Sequence, residues 1–226
     1  MRGKKVFTYF VSQSTFMEAN DYLKDLKDIK EMMSKSSQTL SLSGLSGVLA
    51  GMYALAGAWY ADYLLTTFEV SDYTVYRTQT PFPIDDLTLQ LVGLAAVIVF
   101  ASLLTGIVLS ARKAKNMGEP LWNASARRLI VNFSIPLVTG GILVLILLSK
   151  SYYELIAPMM LLFYGMGCVN ASKYTFRDVR YLGITQVILG LMAAYFKDSD
   201  LLFWALGFGV CHIIYGAMMY VKYDRN

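Results

Sequence analysis

His212 is the single histidine of the chain, and it lies in the middle of an apolar stretch. Gln186 lies in the middle of the stretch before it. Polar side chains at such depth in apolar segments are costly and usually face other helices. Helical spacing puts each on a stripe of small residues. One stripe is Ala205, Gly209, His212 and Gly216; the other is Gly183, Gln186, Gly190 and Ala193. The short turn between the two segments fixes their depths. Gln186 lies ten residues before Phe196, about 15 Å at the helical rise, and His212 lies eleven residues after Leu201, about 16 Å. The two are expected at one level on adjacent helices, in hydrogen-bond range or bridged by water. An amide and an imidazole so placed can act as interhelical glue, or as a site for a proton or small ligand.

A second constellation is Asn170, Lys173, Arg177 and Arg180, with Asn132 and Ser172 nearby. Guanidinium and ammonium donors at this density suit a lipid phosphate or a cytosolic anion. They equally suit ordinary headgroup-level flanks of helices. Other chemistry is missing from the sequence. There is no HExxH, no P-loop and no GxSxG, and one histidine cannot build a bis-His haem site. Cys168 and Cys211 both fall in apolar stretches and read as small hydrophobes. No metal site, cofactor or enzymatic activity is expected.

The elements that must position these residues follow from composition and charge. The chain has 226 residues, of which 56% are hydrophobic and only 16% charged. Soluble domains carry about 25% charged residues. Six apolar stretches recur, at about 40–65, 87–110, 129–148, 152–171, 179–196 and 201–221. Each is near the roughly 20 residues that cross a bilayer. The expected fold is all-α, a polytopic bundle of six transmembrane helices over residues 39–226. Between the stretches the basic residues alternate in number. All 20 Lys and Arg except Arg77, Lys150 and Lys197 fall in the same alternate set of segments. By the positive-inside rule that set is cytoplasmic, with both termini inside. The net charge of +4 belongs to these flanks, so direct nucleic-acid binding is not expected.

Residues 17–38 predict a short amphipathic cytoplasmic helix. Tyr22, Leu26, Ile29 and Met33 line one face, and Lys24, Asp25, Lys27, Asp28 and Glu31 the other. Residues 1–16 are expected to be disordered or to precede the true start. Within the first span Gly47 and Gly51 have GxxxG spacing, either packing helices within the chain or pairing two copies as a homodimer. Gly183, Gly190, Gly209 and Gly216 are further helix-packing candidates. Pro136 predicts a kink in the third span. The turn at 197–200 is so short that the fifth and sixth helices must be antiparallel neighbours.

Four stretches carry a resemblance: SLSGLSGVLAGMYALAGA (41–58), LWNASARRLIVNFSIPLVTGGI (121–142), VNASKYTFRDVRYLGITQVILGL (169–191) and FWALGFGVCHIIYGAMMYVKY (203–223). Together they resemble an uncharacterised family of six-span bacterial inner-membrane proteins of the Bacteroidota type. The resemblance implies a bacterial inner membrane and brings no activity with it. The functional expectation is a non-enzymatic membrane sensor or scaffold that works with a cytosolic protein partner. The alternative is a small-solute or ion transporter using Gln186 and His212.

Overall fold

The computed structural model describes residues 26–27, 43–69, 86–118, 122–196 and 198–224. The readings for 1–16 and 17–38 lie outside these residues, apart from Leu26 and Lys27, which are helical. Every element among the described residues is helical. They are α1 (Gly44–Glu69), α2 (Asp86–Met117), α3 (Ala124–Ser149), α4 (Tyr153–Ala171), α5 (Asp178–Tyr195) and α6 (Asp200–Asp224). Each coincides with one of the apolar stretches.

Local chemistry sets the helix ends. Asn123 caps α3 by accepting from the Ala126 N–H at 2.7 Å. α2 ends at Gly118, whose φ of 71° is the left-handed conformation that stops helices. α4 opens with a single 3₁₀ turn, and Pro158 sits in its first α-turn, where a missing N–H leaves no bond unmade. α3 runs through Pro136 as an unbroken α-helix. α6 changes winding along its length: α over Asp200–Trp204, π over Ala205–Cys211, α over His212–Met219 and π again over Tyr220–Asp224. Nothing in the hydrophobic pattern announces those two π-turns.

Among the described residues, four helices are long and apolar enough to cross a membrane: α2, α3, α4 and α6. α1 is not among them; its Gly, Tyr and Trp residues lower its hydropathy. α5 falls short because its 18 residues include Asp178, Arg180 and Gln186.

α1 runs antiparallel to α6 and α5 antiparallel to α4, while α4 and α6 run parallel. α1 lies between α2 and α6, while α4 lies against α3, α5 and α6. Close backbone approach defines the α1–α6 seam. A Cβ on Gly47 would stand 3.1 Å from Gly216 Cα, and one on Gly51 would stand 2.6 Å from the Gly209 carbonyl oxygen. Across α4–α5, Gly165 and Gly183 each face the other's carbonyl, and Gly190 lies against the backbone at Pro158 and Leu162. The Gly47–Gly51 pair therefore packs within the chain. Leu161, Ala193 and Phe203 form the buried core between α4, α5 and α6. α2 and α3, although consecutive, do not pack along each other.

Candidate functional site

Gln186 and His212 come together at the π-turn of α6. Gln186 is fully enclosed, with 0% of its surface exposed, and His212 is 8% exposed. They are joined through a third group. The carbonyl oxygen of Gly207 accepts from Gln186 Nε2 at 2.8 Å and faces His212 Nδ1 at 3.0 Å. A carbonyl can only accept, so Nδ1 carries the proton and donates to it. Nε2 is then the acceptor for the Tyr164 hydroxyl, 2.7 Å away on α4. The direct Gln186 Nε2 to His212 Nδ1 distance is 3.5 Å, with a proton on both nitrogens, so these two groups are neighbours rather than partners.

The backbone explains why Gly207 can serve both side chains. It lies inside the π-turn Ala205–Cys211, where the i→i−4 ladder is interrupted. The His212 N–H bonds to Gly209 instead, leaving the Gly207 oxygen open to side chains. Residue 207 must also lack a Cβ. One placed there would collide with Leu161 and with the Gln186 amide oxygen. Aromatic rings close the site laterally. Tyr164 meets Phe133 edge-on at 5.7 Å and Phe208 at 5.1 Å, and Phe208 stacks against His212 at 5.9 Å. The node thus joins three helices: the Gly207 carbonyl ties α5 to α6, and His212 Nε2 ties α6 to Tyr164 of α4. Gln186 Oε1 is buried there without a hydrogen-bond partner among the described residues.

Tyr164 and Gly207 are the members that sequence reasoning missed. The depth argument could have found Tyr164. It lies eleven residues after Tyr153, about 16 Å into α4 and level with His212. The Gly207 carbonyl had no sequence signal, because it is exposed by a change of helical winding.

Asn170, Lys173, Arg177 and Arg180 all lie where α4 turns into α5. Asn170 is half-buried and the three basic side chains are exposed. No hydrogen bond or ion pair joins the four side chains to one another. The acid beside them, Asp178, is held by Lys222 at 2.7 Å and by the Tyr223 hydroxyl at 3.0 Å. Of the packing glycines, Gly47, Gly51, Gly209 and Gly216 lie in the α1–α6 seam, and Gly183 and Gly190 lie against α4. Cys168 and Cys211 are free thiols, and no group of acidic, His or Cys side chains among the described residues could hold a metal ion.

The two ends of the bundle differ in charge. Arg112, Lys113, Lys115, Arg127, Arg128, Lys173, Arg177, Arg180 and Lys222 share one end with Asp178 and Asp224. Asp62, Asp86, Glu154, Asp198 and Asp200 lie at the other with Lys150. The chain matches no protein family, no curated protein and no solved structure.

Proposed function

We propose that the chain is a six-span bacterial inner-membrane protein, with its basic end and both termini in the cytoplasm, that serves as a non-enzymatic sensor or scaffold. The observation that carries this reading is the closed polar node. Gln186, His212, Tyr164 and the Gly207 carbonyl are hydrogen-bonded among themselves, with Gln186 wholly enclosed. Such a node fastens helices to one another.

Two observations support counting α1 and α5 as spans. Each runs antiparallel to a helix apolar enough to cross, along seams of glycine contacts. Their glycines and alanines are what such seams require, since close approach of backbones needs small residues. The orientation is supported by the charge difference between the two ends. At the basic end, Lys173, Arg177 and Arg180 stand exposed beside Asn170 and are the surface offered to a cytosolic partner. The transporter alternative draws on one observation, the unpartnered Gln186 Oε1.

Affinity purification from native membranes in mild detergent tests the reading. A cytosolic protein should be retained by the wild-type chain and lost from the Lys173→Glu, Arg177→Glu, Arg180→Glu variant. That variant should still insert and remain monodisperse. If no retained protein depends on these residues, and reconstituted vesicles instead show solute flux abolished by Gln186→Leu, the transporter reading replaces it.

A further inference from the structure

The three helices of the node differ in chemistry on its two sides. Towards the acidic end, residues 156–163 of α4, 187–194 of α5 and 201–210 of α6 carry no hydroxyl, thiol, acid or base. That half packs around the core of Leu161, Ala193 and Phe203. Towards the basic end the same helices enclose protic groups. Cys168 lies one turn beyond Tyr164 on α4, buried, and its thiol is a hydrogen-bonding neighbour of the Tyr164 hydroxyl. Tyr215 lies one turn beyond His212 on α6, and its electrostatic neighbours are Cys168, Asp178 and Tyr223. Asp178 accepts from the Tyr223 hydroxyl at 3.0 Å and from the exposed Lys222. By the helical rise, Cys168 stands about 6 Å below Tyr164, and Asp178 about 12 Å below Gln186.

Tyr215 is the informative member. Its hydroxyl is buried and has no hydrogen-bond partner among the described residues. The Tyr164 hydroxyl fastens α4 to α6, but the Tyr215 hydroxyl fastens nothing, and phenylalanine would fill the same space without the cost of burying an unbonded O–H. Protic side chains within a membrane mark proton and ion paths. A hydroxyl or a thiol suits such a path because it can take a proton on a lone pair while releasing its own.

We propose that His212 exchanges protons with the basic end alone, through Tyr164, Cys168, Tyr215 and Asp178. A proton held by the Asp178 carboxylate passes to the Tyr215 oxygen, which releases its own to Cys168 Sγ. The thiol releases its proton to the Tyr164 oxygen, and Tyr164 gives its own to His212 Nε2. One proton has then moved from Asp178 to the imidazole, which carries the positive charge. Each hydroxyl and thiol has kept one proton, and return runs the series backwards. Around the imidazole, α4 brings Tyr164, α5 the neutral Gln186 and α1 the glycine Gly47, while Cys211 and Tyr215 flank it on α6. Under the sensor reading above, on which only this clause rests, the quantity delivered to the node is the cytoplasmic proton activity.

His212 is the single histidine, so isotope-labelled histidine gives one imidazole signal by nuclear magnetic resonance. In the full chain in lipid discs, the ring N–H should exchange with water, and Tyr215→Phe should slow that exchange at least about tenfold. The ring nitrogen shifts should stay unchanged, because the lost hydroxyl bonds to nothing. Cys168→Ala should slow exchange likewise, and Cys211→Ala should leave it as it is. Unchanged exchange in Tyr215→Phe would overturn the proposal, as would equal slowing in Cys211→Ala. A changed tautomer in Tyr215→Phe would also overturn it, since the hydroxyl would then hold the node rather than supply it. Sidedness is read in vesicles with a buffered interior. On a pH step outside, the fraction of chains whose exchange rate changes should equal the fraction labelled from outside at Lys173→Cys, and a match to the remaining fraction would refute the route. Labelling of the same variant in intact cells tests the cytoplasmic placement separately, so a failure there leaves the route standing.

Discussion

The inner helices α1, α4, α5 and α6 and the outer helices α2 and α3 are all rich in apolar residues, yet the inner set holds most of the buried ones. On α2 the buried residues are Thr88 and Ala114, and on α3 they are Ala126 and Gly140. Phe100 of α2 is 69% exposed, and Ile135 of α3 is 62% exposed. Burial here follows small residues rather than hydrophobicity. In lipid there is no hydrophobic drive to bring one apolar helix against another, so packing geometry decides. Glycine alone does not decide it either. Gly93 and Gly106 of α2 and Gly141 of α3 have nothing within reach of an added Cβ. Gly47, Gly51, Gly209 and Gly216 form a seam because each meets backbone or a side chain across the interface. Paired glycines, not glycines, mark the inner set.

The sharpest way to break that contrast is to place the same side chain in both regions. Gly216→Leu should cost 3 kcal/mol or more, or abolish the folded protein, because its Cβ would meet the Val48 N–H and the Gly44 carbonyl. Gly106→Leu should stay within about 0.5 kcal/mol, as at an open surface. Thermal unfolding of both variants in the same detergent checks this. Equal losses would mean that the face of α2 carrying Gly106 is packed within the bundle.

Gly207→Ala should come next, at about 1–3 kcal/mol. The new methyl enters the space of Leu161 and of the Gln186 amide, and both would have to shift. The same substitution at Gly93 should be neutral or slightly stabilising, since alanine is the better helix former. A neutral Gly207→Ala would show that the π-turn can relax without loss of the node.

How much of this was legible beforehand can be argued from particular residues. The positions of the helices were legible, because apolar runs near the length of a span leave little choice of element. The meeting of Gln186 and His212 was legible from the turn at 197–200, which fixes both depths. Its form was not. The shared Gly207 carbonyl depends on winding seven residues as a π-turn, and composition carries no sign of that. The seam partners of Gly47 and Gly51 were left open between the chain itself and a second copy, since spacing states that a helix will pack and not against what. The basic residues gave the charge of one end, but no local pattern announces that Lys113 pairs with Asp224 and Lys222 with Asp178, 111 and 44 positions apart.

The smallest effect expected is also the most informative about the node. Hydrogen bonds between membrane helices average about 0.6 kcal/mol and rarely exceed about 2. Tyr164→Phe removes the donor to His212 Nε2 while keeping the ring against Phe133 and Phe208, so its cost should lie near that average. His212→Leu removes the same bond and the one to Gly207, and should cost somewhat more. The double variant should cost less than the two single losses together, by about 0.6 kcal/mol, because both singles delete one shared interaction. Strict additivity in unfolding measurements would mean that the Tyr164–His212 contact contributes nothing. The polar link between the inner helices at the node would then be the Gln186–Gly207 bond alone, beside their glycine seams. Coupling well above 2 kcal/mol would point the other way, to a node that polarises as a unit, and the contrast between inner and outer helices would rest on polar bonds as much as on close packing.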